Sequence, residues 1–148
     1  MIEGETMKIA ARIALVFVLV LGTLQPAARA ADAAVRIDYE DGSYAIITTG
    51  AGVSRGTTSD YKTYTYYDTS GKRCFTYTLC ADFSYNGRTS SADSAYAKTD
   101  FYSRGWTVDS HSEYTSGSTA YGQAVFSGPS GTRNVSLTLT CDANGRVT

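Results

Sequence analysis

The chain is short of the residues that several chemistries require. Its 148 residues include one His, three Cys, two Pro and one Trp, and the formal net charge is −1. One His and three scattered Cys supply too few soft donors for a structural zinc site. Asp142-Ala143-Asn144-Gly145 has the start of a calcium loop without its remaining ligands or terminal Glu. No metal and no cofactor is therefore expected. A near-zero charge does not suit a nucleic-acid binder, which needs a basic face to displace counterions from phosphates. The length limits the chain to one domain.

Long apolar runs are also scarce, and the one present has a specific context. Lys8 and Arg12 precede the apolar stretch Ile13–Leu24, and Ala28-Arg29-Ala30 then offers a small-x-small cleavage pattern. The apolar stretch, about 12 residues, is too short to cross roughly 30 Å of hydrocarbon at 1.5 Å per residue. Residues 1–30 read as a secretory signal peptide, with Met7 as an alternative start because Glu3 and Glu5 suit a leader poorly. Ala31-Asp32-Ala33 is a second cleavage candidate. The expected product is residues 31–148, secreted to the extracellular side with no membrane segment.

That product carries all twelve Tyr but only three Leu and three Ile, and loss of the leader leaves a net charge of about −2. Val, Ile, Leu and Phe make up about 14% of it, a level that raises the question of disorder. Low net charge and abundant aromatics answer it, because Tyr and Thr suit a pleated, half-buried surface. No window shows a helical apolar stripe. Phe75, Tyr77, Leu79, Ala81 and Phe83 instead alternate with polar residues, the period of a strand with one buried face.

Turn signals divide the rest. Asn86-Gly87 predicts a two-residue hairpin turn with both central residues at positive φ. Asp68–Lys72 predicts a three-residue loop with Gly71 left-handed, setting Thr65 opposite Phe75. Gly128–Thr132 predicts a turn that sets Val125 opposite Val135, and Asp41-Gly42 marks a fourth. Gly50–Ser59 is the expected flexible loop. Strands are expected near 35–39, 43–48, 61–67, 73–85, 88–98, 106–114, 119–127 and 132–141. The fold class is all-β, an antiparallel two-sheet sandwich of about seven or eight short strands. The immunoglobulin-like label describes architecture only and carries no function.

An oxidising destination permits disulfides. Cys74 and Cys80 stand six residues apart on one strand, about 20 Å, beyond the roughly 7 Å limit for bridged Cα atoms. Cys141 must then take one of them, with Cys74–Cys141 preferred and Cys80–Cys141 the alternative.

For function, the register above places Tyr64 and Tyr66 on an outward strip, flanked by Lys62, Asp68 and Lys72. Such a strip suits stacking on sugar rings or a protein interface. Tyr64, Tyr66 and Trp106 are the candidate binding residues, although Val108 beside it also marks Trp106 as a core anchor. His111 shares a strand face with Asp109 and Glu113, which can orient it as a general base. Those three alternate residues span about 13 Å, too far for one metal ion. The expected function is a secreted, non-catalytic module that binds a surface glycan or protein. The alternatives are a secreted antimicrobial or toxin-like effector and a small hydrolase using His111.

Overall fold

The computed structural model describes residues 34–54 and 56–148; the expected signal peptide, residues 1–30, lies outside the described residues. Eight strands follow one another: β1 (Ala34–Asp38), β2 (Tyr44–Ser54), β3 (Thr57–Tyr67), β4 (Arg73–Tyr85), β5 (Ser90–Phe101), β6 (Thr107–Ser116), β7 (Thr119–Gly128) and β8 (Gly131–Thr140). No helix occurs among the described residues. Strands β1 to β5 form one antiparallel sheet in chain order, and β6 to β8 form a second. Each sheet is a meander of hairpins, without the interleaved order of a Greek key.

The inner faces hold the core. Phe75, Tyr77, Leu79, Ala81 and Phe83 of β4 are buried as their alternation predicts, and they meet Ala120, Ala124 and Phe126 of β7 with Val135, Leu137 and Leu139 of β8. Phe75 stacks on Phe126 with ring centroids 4.2 Å apart. Gly122 makes room at the centre: a Cβ there would lie 2.8 Å from the Tyr77 hydroxyl oxygen and 3.0 Å from Leu79 Cδ1. A low aliphatic content is thus offset by rings, each covering a large apolar area.

Turn details change the expected register in two places. The Asp68–Lys72 loop closes as predicted, with Asp68 N–H on Lys72 O at 3.0 Å and Gly71 at φ 78°. A bulge then takes up Cys74, so that Tyr66, not Thr65, stands opposite Phe75. One extra residue sends every side chain of β3 to the other face. Gly128 pairs directly with Gly131, which sets Val125 opposite Asn134 and turns Val125 and Tyr121 outward. Gly50–Ser59, expected as a loop, is largely strand: β2 runs to Ser54 and β3 starts at Thr57. At Asn86-Gly87 only Gly87 has positive φ. Asn86 Oδ1 accepts N–H groups from Arg88 and Thr89, each at 2.9 Å, so the connection is a four-residue loop rather than the tight turn expected.

All three cysteines are free, which overturns Cys74–Cys141 and Cys80–Cys141 alike. The first pairing assumed that β8 runs antiparallel to β4 as a neighbour. The two strands instead lie in opposite sheets and run the same way, so Cys74 and Cys141 sit at opposite ends. Cys141 O accepts from Ser90 Oγ at 2.7 Å, beside the end of β4, while Cys74 O accepts N–H groups from Tyr102 and Ser103 beside its start. Eleven residue steps along β4, from Cys74 to Tyr85, correspond to roughly 36 Å. Cys80 is on the outer face of its sheet, and Cys141 is buried inside.

Candidate functional site

The three residues expected to bind are brought together, but inside the protein. Tyr64 is 3% exposed, Tyr66 0% and Trp106 7%. Tyr66 and Phe75 each lie about 5 Å, ring to ring, from Trp106, at 5.1 and 5.0 Å. The Tyr64 hydroxyl meets that of Tyr39 at 2.7 Å, and burial raises its pKa well above the ordinary phenol value. Tyr64 and Tyr66 are therefore core residues, and the outward strip they were expected to form does not exist. The cause is the bulge at Cys74, and Trp106 takes its expected role as a core anchor.

His111 keeps one of its two acidic neighbours. Its Nδ1 is 3.1 Å from Glu113 Oε1, and the same oxygen accepts the Tyr77 hydroxyl at 2.8 Å. Burial first, and then that bond, raise the Tyr77 pKa. A bulge between Val108 and Ser110 carries Asp109 away to Ser127. Ser110 and Ser112 flank His111 in sequence, so their side chains leave the strand on the face opposite the imidazole. No group of three or more His, Cys, Asp or Glu able to hold a metal occurs among the described residues.

A different surface emerges from the register of the second sheet. Read across β6, β7 and β8, its outer face carries rows Tyr114–Tyr121–Thr138, Ser112–Gln123–Ser136 and Ser110–Val125–Asn134. The middle of this face is an open groove of about 380 Å³ over Val125, within the size range of small-ligand sites. At one end Tyr114 and Tyr121 stack, with centroids 4.8 Å apart and planes within 10°. Thr119 and Thr140 hydroxyls bond at 3.0 Å beyond them, and Ser127 bonds Asp109 at the other end. Between these, the side chains of Ser110, Ser112, Gln123, Asn134 and Ser136 make no hydrogen bond to any other side chain or to backbone among the described residues. Their hydroxyls and amides are uncommitted, and no ionised group lies among them.

Sequence reasoning missed this face. Ser, Thr, Asn and Gln on alternate strand positions look the same whether they meet water or a ligand. The corrected turn at Pro129–Ser130 was also needed to place Tyr121 and Val125 on it.

No protein-family model matches the chain, and no curated protein does. Among solved structures, the chain is similar to the hypothetical protein lmo2686 from Listeria monocytogenes EGD-e. The two share 21% identity at a TM-score of 0.46, over 78% of this chain and 90% of that one.

Proposed function

We propose that the protein is a secreted, non-catalytic binding module that holds a neutral, hydroxyl-rich ligand, a glycan chain, in the groove of the three-stranded sheet. The carrying observation is the set of five uncommitted polar side chains around Val125. Sugars present donors and acceptors on their rims and apolar patches on their ring faces. Gln123 and Asn134 each offer a donor and an acceptor, the three serines offer hydroxyls, and the Tyr114–Tyr121 pair flanks the groove with an aromatic surface. Absence of charge favours a neutral chain, since a buried unpaired charge would oppose binding. The extracellular placement rests on the leader-like stretch Met7–Ala30.

Depletion assays with residues 31–148 on chitin, cellulose, xylan and cell-wall glycan test the reading. Retention on at least one polymer is expected. It should fall about tenfold when Gln123→Ala and Asn134→Ala are combined, the loss of a few well-placed hydrogen bonds. Tyr61→Ala, on the outer face of the other sheet, should leave it unchanged. Lack of retention on every polymer, or undiminished retention by the double variant, would overturn it.

A further inference from the structure

A second cavity lies at the end of the sandwich where the Asp68–Lys72 loop, the Tyr102–Trp106 loop and the Pro129–Ser130 turn converge. Its volume is about 550 Å³, and Lys72, Arg104, Trp106, Ser103 and Ser130 line it with Asp68. We propose that this cavity binds an anionic group, a carboxylate or phosphate on a small ligand. The inference is independent of the glycan reading of the groove.

The rim carries positive charge. Lys72 and Arg104 are exposed at the rim, and neither forms an ion pair among the described residues. The one acid at the rim is already engaged. Asp68 Oδ1 accepts the Ser70 hydroxyl at 2.6 Å and the N–H groups of Ser70 and Lys72 at 2.9 Å each. The Ser70 hydroxyl first, then the backbone donors, hold its pKa below the ordinary carboxylate value. Asp68 braces its own turn and its charge also acts on Lys72, so Arg104 faces an incoming anion with no acid beside it and Lys72 adds to it from the Asp68 side.

A relay of hydrogen bonds adds to this charge. Arg133 Nη2 donates to the Tyr66 hydroxyl oxygen at 3.0 Å, and that hydroxyl is 3.0 Å from Ser130 Oγ. A guanidinium only donates, and a phenol that accepts from it becomes a better donor in turn. The Tyr66 proton is thereby directed to Ser130, and the Ser130 proton is left for a group in the cavity. The half-buried charge of Arg133 is felt at the cavity through two hydroxyls, though Arg133 does not line it.

The wall is rigid. Trp106 lies flat on Gly128, where a Cβ would stand 2.2 Å from indole Cδ2, so only Gly fits beneath the ring. Cys74 O fixes the loop from the other side by accepting from Tyr102 and Ser103 N–H at 2.8 and 3.1 Å. Such a preformed site loses little freedom on binding.

Trp106 is the chain's single Trp, and its fluorescence reports directly on the wall. Titration with inorganic phosphate and with glucuronate at constant ionic strength should give a saturable emission change with at least one of them. Glucose is the neutral control and should give none. Phosphate alone identifies a phosphate ligand, and glucuronate alone a carboxylate. Combined Lys72→Gln and Arg104→Gln, both on exposed side chains, should weaken the response at least tenfold. Tyr66→Phe should weaken it several-fold by breaking the relay; Ser130→Ala tests the same relay from the exposed side if Tyr66→Phe does not fold. The combined Gln123→Ala and Asn134→Ala variant should titrate like the unmodified protein, which separates this site from the groove. A response that fails to saturate, is matched by chloride, or survives loss of both cations would overturn the proposal. An undiminished response in Ser130→Ala would overturn the relay.

Discussion

The two ends of the sandwich each hold an ionisable side chain between the sheets, half-buried Arg133 at one and buried Asp60 at the other, and they supply it with partners unequally. At one end Arg133 engages partners through both terminal nitrogens and leaves its Nε without one. Nη2 reaches Asp41 Oδ2 at 2.5 Å and the Tyr66 hydroxyl at 3.0 Å, and the guanidinium lies 5.0 and 5.1 Å from the ring centroids of Tyr39 and Tyr66. At the other end Asp60 is 3% exposed and receives one bond, from the Thr58 hydroxyl at 2.7 Å; its Oδ1 has no partner. Arg presents a flat fork that several acceptors and rings can share, whereas a lone carboxylate needs donors that strand interiors rarely supply. Charge is tolerated between these sheets where a turn, here Tyr39–Ser43, brings polar groups to it.

Removing the Arg133 charge should weaken the fold most. Arg133→Met keeps much of the apolar stem but strips Asp41, Tyr66 and the two rings of their cation. A loss of about 2 kcal/mol is expected, at the low side for a buried pair because Asp41 faces water. Urea denaturation checks it, and an unchanged midpoint would show the network to be incidental.

Asp60 predicts the reverse sign. Burial raises its pKa, with the Thr58 hydroxyl opposing. In the carboxylate range the folded chain therefore binds a proton that the unfolded chain has released. Stability from this group is present at low pH and is lost as pH rises through that range. Asp60→Asn removes the ionisable group and should stabilise the protein at pH 7 by about 1 kcal/mol. Asp41 has the opposite shift, lowered first by Ser43 and also by Arg133, so its contribution is lost as pH falls. Thermal melts of the Asn variant should show their largest gain at neutral pH and little at pH 3. An equal gain at both would mean that the effect is one of packing.

How far such features can be read from the sequence alone depends on whether a bulge intervenes. The inward set Phe75 to Phe83 was legible because period-two alternation survives any choice of partner. The outward placement of Tyr64 and Tyr66 failed because it relied on counting from a turn, and Cys74 added one residue to the count. Tyr66 and Tyr67 are adjacent, so one had to be inside, and nothing local says which. Disulfide reasoning failed at the level of topology, since strand direction across two sheets is not a local property. The two cavities lie further still from the sequence. One depends on which polar side chains lack partners, the other on three loops meeting, and both are long-range facts.

The smallest effect concerns the lysine between these two ends. Lys62 points inward from β3, and its Nζ donates to Thr138 O at 2.6 Å, with desolvation lowering its pKa. Thr138 stands two residues from Thr140, whose N–H and C=O both pair with Thr148, on the side of β8 away from β7. The Thr138 carbonyl therefore belongs to the free edge of the three-stranded sheet, and Lys62 caps it between the Thr148 pairing and Arg133, which donates to Thr132 O at 3.0 Å. An uncapped edge offers its amides and carbonyls to another chain, and a lysine placed there opposes such pairing. Lys62→Met should change stability by no more than about 0.5 kcal/mol, because a partly exposed lysine bond contributes little. Its consequence should appear in association: light scattering at rising concentration should show self-association in Lys62→Met but not in Lys98→Met, on the outer face of the other sheet. Identical scattering from the two variants would assign the bond to local packing rather than to protection of the edge.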